Sequence, residues 1–559
     1  MVDATRALLL ARTCHEFGPK EARDKLRLLG DLSGTARVPT AEVPVLLDAV
    51  CFLRAYPDDA AVARRAKEVG ESLRSRLSPR QASSERLANM GVPGSFQRYE
   101  YSYGVVRRMV RAFPGCLEVD WEHIDDEGPV VDALSLLVTP GESQGLEDIR
   151  VPLSEWLSRA RAGPSRTDLE TVLDVFERSG LPLLVRAQLF EACTLPIRYG
   201  LSVPGTGRCE VTLPVRRVHH QRKPIDRTRW PLGPRIREPL ALGEPEDPDT
   251  GEHLIARSLA ALCARNLEIY PLIYANARDV RQIDCGLGLS VLMVGTEPEC
   301  RSTLECLYFF LVAKNGIPIA YGPAGVFEGC CEMGINLFPE YRGGEIRLIY
   351  AQLMRVLHHM LGAEYYFLTE YGMGVGSLEA LRSGAFWFYR KLGFLPTSAR
   401  VERIAREEES RMRADPRHRS DAATLRRLSN TRAYLDLSGG RCVPMDFGGL
   451  GLAQARLIAL DYGADRPAAV EASVRRVRSR LGEAGRRGLS SDERRAFWTL
   501  APLVAMIPDL DQWSGAEHAA LARFMRAKGA VSEAAAARMR QPRLVTALER
   551  IAARARSEG

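Results

Sequence analysis

Two stretches of the sequence hold residue types whose spacing could do chemistry. The first is PEYRGGE, residues 339–345, a polar loop with two glycines that leads into an amphipathic pattern. Backbone N–H groups at the start of a helix lack partners within the helix, so such a loop is a ready anion site. The second is RSGAFWFYRKLGF, residues 382–394, with four aromatic residues in a row in a chain that is 7% aromatic. Its Tyr389 is either a proton donor or part of a packed core.

The elements before the loop alternate as strands and turns. LECLYFFLVA at 304–313 predicts an apolar strand, and KNG at 314–316 predicts a tight hairpin turn, since Asn-Gly tolerates positive φ. The returning strand is IPIAYGPAGVF at 317–327. Cys330 to Phe338 predicts a third strand, with Gly334 as a candidate bulge. These strands place the glycine loop at the end of a sheet.

The elements after the loop predict a helix, a strand and a last helix. The first helix runs from Ile346 to a glycine stop at Gly362, and EYYFLTE is the strand. The last helix carries the aromatic run and ends at Gly393. A buried stripe along it is predicted at Leu378, Leu381, Ala385, Phe388 and Leu392. Tyr389 then lies at the edge of that stripe, where its hydroxyl could reach a cleft.

With this order of elements, NLFPEYRGGEIRLIYAQLM followed by SGAFWFYRKLGF resembles the GNAT superfamily of acyl-CoA-dependent N-acyltransferases. The resemblance covers residues 300–397, under a fifth of the chain. The late motif matches at Phe388, Tyr389, Lys391, Leu392, Gly393 and Phe394. The loop departs from the family pattern at Glu345 and Arg347, where small residues are usual.

The resemblance implies a co-substrate and its contacts. The co-substrate is acetyl-CoA or another acyl-CoA, and an amine attacks the thioester directly; no metal is expected. The phosphate cradle is then Arg342, Gly343 and Gly344. The backbone donors to the thioester carbonyl are placed at Ile335, Asn336 and Leu337.

The resemblance also implies an acid and a base for acyl transfer. Tyr389 matches the family tyrosine and is the expected acid; the alternative is a core aromatic whose hydroxyl bonds to backbone. Glu332, on the third strand, is the expected base; the alternative is an outward-facing strand acid. Glu370, at the end of the next strand, is a weaker candidate base.

The 559 residues are too many for one compact core and predict several domains. We expect a helical N-terminal region at 1–85 and a mixed α/β region of unknown fold at 86–250, ending in a Pro/Arg-rich loop. A GNAT-like acyltransferase domain follows at 251–400, and a helical C-terminal region at 401–559. The predicted fold class is α+β, a GNAT-like mixed sheet with flanking helices plus mainly helical terminal regions.

Charge and apolar runs restrict partners and location. The net charge of +7 is modest for this length, so it does not indicate nucleic acid. Residues 215–237 hold eight basic residues and one acid, Asp226, which predicts contact with an anionic partner or a solvated loop. The longest apolar run, LYFFLVA at 307–313, is too short to span a membrane. Twelve scattered cysteines without a C-x-x-C pair predict reduced thiols and a cytoplasmic protein.

Two functions agree with these patterns. The first is a GNAT-like N-acyltransferase that moves an acetyl or other acyl group from acyl-CoA to an amine. The alternative is a non-catalytic GNAT-like binding or scaffold protein whose CoA loop is degenerate at Glu345 and Arg347.

Overall fold

The structure is a computed structural model that describes residues 2–33, 37–225, 231–342, 345–376, 378–440, 444–482 and 488–557. Gly343 and Gly344 of the predicted phosphate cradle lie outside the described residues. The described chain is α+β and contains a mixed sheet, which confirms the predicted fold class at this level. The predicted domain boundaries stay predictions.

The N-terminal region consists of helices in its described part. They are α1 (Val2–Thr13), α2 (Pro19–Ser33), α3 (Val43–Ala55), α4 (Ala60–Arg76) and α5 (Pro79–Ala82). The α3 helix is apolar along most of its length and almost wholly buried. The start of α4 is set by Asp59, whose side chain accepts hydrogen bonds from two N–H groups of the first turn.

A small antiparallel sheet and a set of helices follow. The elements are β1 (Phe96–Tyr99), α6 (Tyr103–Ala112), β2 (Leu117–Val119), α7 (Gly128–Ser135), α8 (Pro140–Glu147), α9 (Leu153–Ala160), α10 (Asp168–Arg178), α11 (Leu183–Ala192), β3 (Ile197–Gly200) and α12 (Leu232–Arg237). The strand order is β1-β3-β2. The third strand therefore lies between the two strands that precede it in the chain.

The next part of the chain contains most strands of a larger sheet. Its elements are α13 (Pro248–Cys263), α14 (Tyr270–Ile273), β4 (Ala275–Gly286), β5 (Leu289–Thr296), β6 (Cys306–Lys314), β7 (Ile317–Phe327), β8 (Cys330–Met333), β9 (Asn336–Leu337), α15 (Ile346–Leu361), β10 (Tyr365–Leu368), α16 (Glu370–Met373), α17 (Leu378–Ser383), α18 (Ala385–Leu392) and β11 (Leu395–Pro396).

The remaining elements are mostly helices. They are α19 (Ala399–Ala414), α20 (Ala422–Ser429), β12 (Ala433–Asp436), α21 (Phe447–Tyr462), α22 (Arg466–Arg480), α23 (Ser491–Ala505), α24 (Gly515–Ala527), α25 (Ala534–Arg538) and α26 (Pro542–Ser557). The β12 strand joins the larger sheet, whose order is β11-β12-β10-β8-β7-β6-β5-β4, with β9 paired to β7. Among the described helices, none is both long and apolar enough to cross a membrane.

The β6–β7 hairpin confirms the turn predicted at KNG. Asn315 and Gly316 have φ values of +52° and +79°, the left-handed conformation that a two-residue hairpin turn requires. The hairpin is also held from outside, because the Asn315 side-chain amide donates to the Ala55 carbonyl at the end of α3, 2.8 Å away. The N-terminal helices are thereby joined to the sheet.

The third strand predicted before the glycine loop corresponds to β8 and β9, and it separates from its parallel neighbour β10. Met333 pairs with Ala324 of β7 and Asn336 pairs with Tyr321, so the register continues past Gly334. The predicted bulge at Gly334 is wrong, because no residue is inserted there. The parallel ladder to β10 ends at the pair Glu332–Phe367. Beyond Glu332 the strand follows β7 alone, and a cleft opens on its other side.

The predicted helix of the aromatic run is broken in two. Gly384 has a φ of +72°, which separates α17 from α18 and rotates the second helix relative to the first. The buried residues of α18 are Phe386, Tyr389 and Leu392, whereas Leu378 of the predicted stripe is 63% exposed. The predicted stripe is therefore wrong at Leu378, whereas Leu392 is buried and Ala385 and Phe388 pack half-buried against the core. The predicted glycine stops are confirmed, with φ values of +70° at Gly362 and +106° at Gly393.

The cysteines are mostly free. Ten of the twelve are free and buried, as expected for thiols that act as small apolar side chains. Cys330 is disulfide-bonded, so the prediction of reduced thiols is wrong at this position.

Candidate functional site

A cleft of about 850 Å³ lies where the strand formed by β8 and β9 separates from β10. It brings together the candidate site residues that the structure describes, apart from the weaker base candidate Glu370. They are Glu332, Ile335, Asn336, Leu337, Arg342 and Tyr389. Glu370 instead pairs with Arg432, at 3.2 Å.

The backbone of β9 offers hydrogen-bond donors on the cleft side. Gly334 donates to Pro323 and Phe338 donates to Ile319, both on β7. N–H groups of an antiparallel strand alternate between its partner and the opposite side. By this alternation Ile335 and Leu337 direct their N–H groups away from β7. Ile335 and Leu337 therefore suit the predicted role of backbone donors to a carbonyl. The N–H group of Asn336 faces β7 and is used in the pairing of the two strands.

The start of the glycine loop is anchored by a buried carboxylate. Pro339–Tyr341 form a 3-10 turn, and the Glu340 side chain is fully buried. Arg265 donates to its Oε1 at 2.5 Å, and the Arg208 guanidinium lies 3.0 Å from the same oxygen. Burial alone would raise the pKa of Glu340, but attraction to Arg265 and Arg208 outweighs it and lowers that pKa to about 2.

The same network reaches the N-terminal helices. Arg208 also donates to Asp48 of α3, over 2.7 Å. Tyr341, next in the turn, is 1% exposed. Arg342 follows it and is exposed at the cleft. The turn is thus fixed from behind, and its cationic residue is presented to the cleft.

The two residues that depart from the family loop pattern point elsewhere. Glu345 forms an ion pair of 2.7 Å with Lys314, whose side chain is 0% exposed. The Arg347 guanidinium donates to the Lys391 carbonyl in the last turn of α18, at 2.9 Å. Neither residue lines the cleft. The charge of Glu345 is neutralised within the fold, and Arg347 helps to hold α18 against α15.

Tyr389 is a buried tyrosine with a tyrosine partner. It is 8% exposed, and its hydroxyl accepts a hydrogen bond of 2.9 Å from Tyr350 of α15. Burial raises the pKa of Tyr389, and donation by Tyr350 partly opposes this. The hydroxyl therefore keeps its proton at neutral pH, and that proton is available to another acceptor because Tyr350 supplies its own. Tyr350 was not predicted as a site residue, because its spacing is that of one more residue on the buried face of α15.

Two interacting carboxylates, Glu305 and Glu332, line the cleft. Glu332 pairs in register with Gly325 of β7, and a Cβ built on Gly325 would lie 3.2 Å from the Glu305 Oε1 atom. The glycine thus leaves room for the Glu305 carboxylate beside Glu332. Burial is the main cause that raises the pKa of Glu305 to about 7, and repulsion by Glu332 adds to it.

Glu332 shows the same trend. It is exposed to the cleft, yet desolvation there raises its pKa; Arg432 opposes the shift and Glu370 adds to it. Glu305 was not predicted as a site residue, because a single acid before an apolar strand carries no sequence signal of its own.

The basic segment lies apart from this cleft in its described parts, 215–225 and 231–237. Arg216, Arg217 and Arg222 are exposed and line other cavities of the surface. The anionic partner predicted for this segment stays a prediction.

Comparisons of the chain with protein-family models, with curated proteins and with solved structures found no match.

The Glu340 network yields a stability prediction. We expect Glu340→Gln to lower the free energy of unfolding by about 3 kcal/mol at pH 7, because Arg265 then loses its carboxylate and Arg208 keeps only Asp48. The folded-state pKa of Glu340 is depressed, so this stability is fully present above the unfolded-state value and is lost as the pH falls toward 2. Urea midpoints at neutral and acid pH measure both effects.

The matched control is Glu407→Gln, at an exposed position of α19. We expect its free energy of unfolding to change by no more than about 0.5 kcal/mol, as for ordinary surface substitutions. Equal midpoints for the two variants at neutral pH contradict the role given to Glu340.

Proposed function

We propose that the protein is a GNAT-like N-acyltransferase that transfers an acetyl or other acyl group from acyl-CoA to an amine by direct attack. One observation carries the proposal. A single cleft, formed where a strand parts from its parallel neighbour, holds backbone N–H groups, a protonated buried tyrosine and two adjacent carboxylates. These are the donor, acid and base groups that amide formation from a thioester uses.

The cleft suits an acyl-CoA co-substrate, which supplies a thioester with a thiolate leaving group. The N–H groups of Ile335 and Leu337 would polarise the thioester carbonyl. Arg342, exposed at the cleft, would bind a phosphate. Glu345 would not repel the phosphates, because its charge is paired with Lys314.

The carboxylate pair would take the proton of the acceptor ammonium. A base works best when its pKa lies near the working pH, and that of Glu305 is about 7. Since Glu305 and Glu332 repel each other, we assign the proton to the pair. The base proposed from the sequence, Glu332, is thus one half of the group.

Tyr389 would protonate the departing thiolate. Its raised pKa keeps the proton in place until the thiolate forms. The hydrogen bond from Tyr350 would then stabilise the phenolate that remains.

Substitution of the tyrosine tests the proposal. We expect Tyr389→Phe to lower kcat for acetyl transfer to an amine by about 100-fold or more, because one positioned acid is lost. The KM for acetyl-CoA should change little, since the ring stays in place. Steady-state kinetics with Tyr99→Phe, a partly exposed tyrosine of β1, provide the control. An unchanged kcat in Tyr389→Phe removes Tyr389 as the acid.

The pH profile tests the carboxylate pair. A base acts only when deprotonated, so we expect kcat/KM to fall as the pH drops below about 7. Glu332 repels the Glu305 charge and Lys528 attracts it. Glu332→Gln should therefore move this limb to lower pH. A limb that stays in place in that variant, measured with the same amine, contradicts the coupling of the two carboxylates.

A further inference from the structure

A second cavity, of about 900 Å³, adjoins the cleft at the carboxylate pair. Glu305, Glu332 and Thr369 line both cavities. The two spaces therefore meet at the groups to which the proposed function assigns the acceptor proton. The cleft also contains Arg342, the phosphate ligand of the proposed function, whereas the rest of the second cavity is lined by other parts of the chain.

The second cavity has an apolar wall built from distant parts of the chain. Phe327 and Phe367 line it from the larger sheet, whereas Phe447 and Val545 line it from α21 and α26. Half of this wall therefore comes from the C-terminal helices. A molecule with an apolar body would be enclosed between the sheet and these helices.

The charged groups of the wall leave a negative excess. Asp446 is paired with Arg556, at 3.0 Å, and Arg432 is paired with Glu370. Lys528 is paired with Glu533. The carboxyl of Glu328 accepts from the Gln541 N–H at 2.6 Å.

Four carboxylates of the wall form no ion pair among the described residues: Glu305, Glu328, Glu332 and Glu549. Glu305 and Glu332 line the junction with the cleft. Glu549, on α26, lines only the second cavity. Carboxylates without an ion pair thus lie both at the junction of the two cavities and, at Glu549, in the second cavity alone.

We propose that this cavity binds the acyl acceptor, and that the acceptor is a primary amine with a second positive charge on an apolar body. The reacting nitrogen would lie at Glu305 and Glu332, the body against the phenylalanines and the second cation at Glu549. This rests on the proposed function for the reaction itself. In that reaction the ammonium first gives one proton to the carboxylate pair, and the N–C bond then forms as the C–S bond breaks. The thiolate takes the proton of Tyr389, and the second proton that the nitrogen loses returns to the Tyr389 phenolate.

The test measures amine binding without acyl-CoA. Hexamethylenediamine, aminohexanol and hexylamine are titrated into the full chain by calorimetry, since they share one apolar chain and differ at its far end. We expect the diamine to bind about tenfold more tightly than aminohexanol, the effect of one partly buried ion pair. Glu549→Gln should remove this difference and leave aminohexanol binding unchanged. Glu244→Gln, at an exposed loop position, should behave as the unchanged protein.

Two results overturn the inference: equal affinity for the diamine and aminohexanol, or no binding of any of the three at millimolar concentration. Acylation of the bound diamine tests the proposed function separately. If the diamine binds as expected but is not acylated when acetyl-CoA is added, the cavity is an amine site and the acyltransferase proposal fails.

Discussion

The buried carboxylate of Glu340, held between Arg265 and Arg208, is the constraint on which the cleft depends. Burying a carboxylate is costly, and the cost is offset only because two guanidinium groups and the fold around them arrive together. Arg208 continues the network to Asp48 of α3. The N-terminal helices therefore act on the cleft through Arg208: they help to fix the turn that precedes Arg342. A loop held this way can carry Glu345 in place of a small residue, because Lys314 takes up its charge away from the cleft.

The sheet supplies the other half of the geometry. A parallel pair that ends at Glu332 and Phe367, beside an antiparallel pair that continues to Leu337, leaves strand edges without a neighbour. Unpaired backbone N–H groups are costly when buried, so this edge is a natural place for a ligand carbonyl. The C-terminal helices enclose the second cavity from the other side, with Phe447 and Val545 in its wall. Both flanking helical regions thus contribute to the candidate site.

Local signals predicted much of the fold around the site. The Asn-Gly turn, the α15 helix with its glycine stop and the position of Tyr389 at a cleft all follow from short-range chemistry or from the late motif. Other features depend on contacts far apart in sequence. The partners of Glu345 and Arg347, the approach of Glu305 to Glu332 over Gly325, and the addition of β12 to the sheet have no local signature. The break at Gly384 was not predicted, because an isolated glycine inside a helical pattern is compatible with a continuous helix.

The central claim is that this cleft binds an acyl-CoA, and calorimetric titration of acetyl-CoA into the full chain tests it most directly. We expect saturable binding at one site per chain, weakened when Arg342 is replaced by Ala, because a charge-assisted hydrogen bond to phosphate is lost. No heat of binding at millimolar acetyl-CoA would contradict the claim. It would favour a non-catalytic binding or scaffold protein that keeps the cleft without the co-substrate.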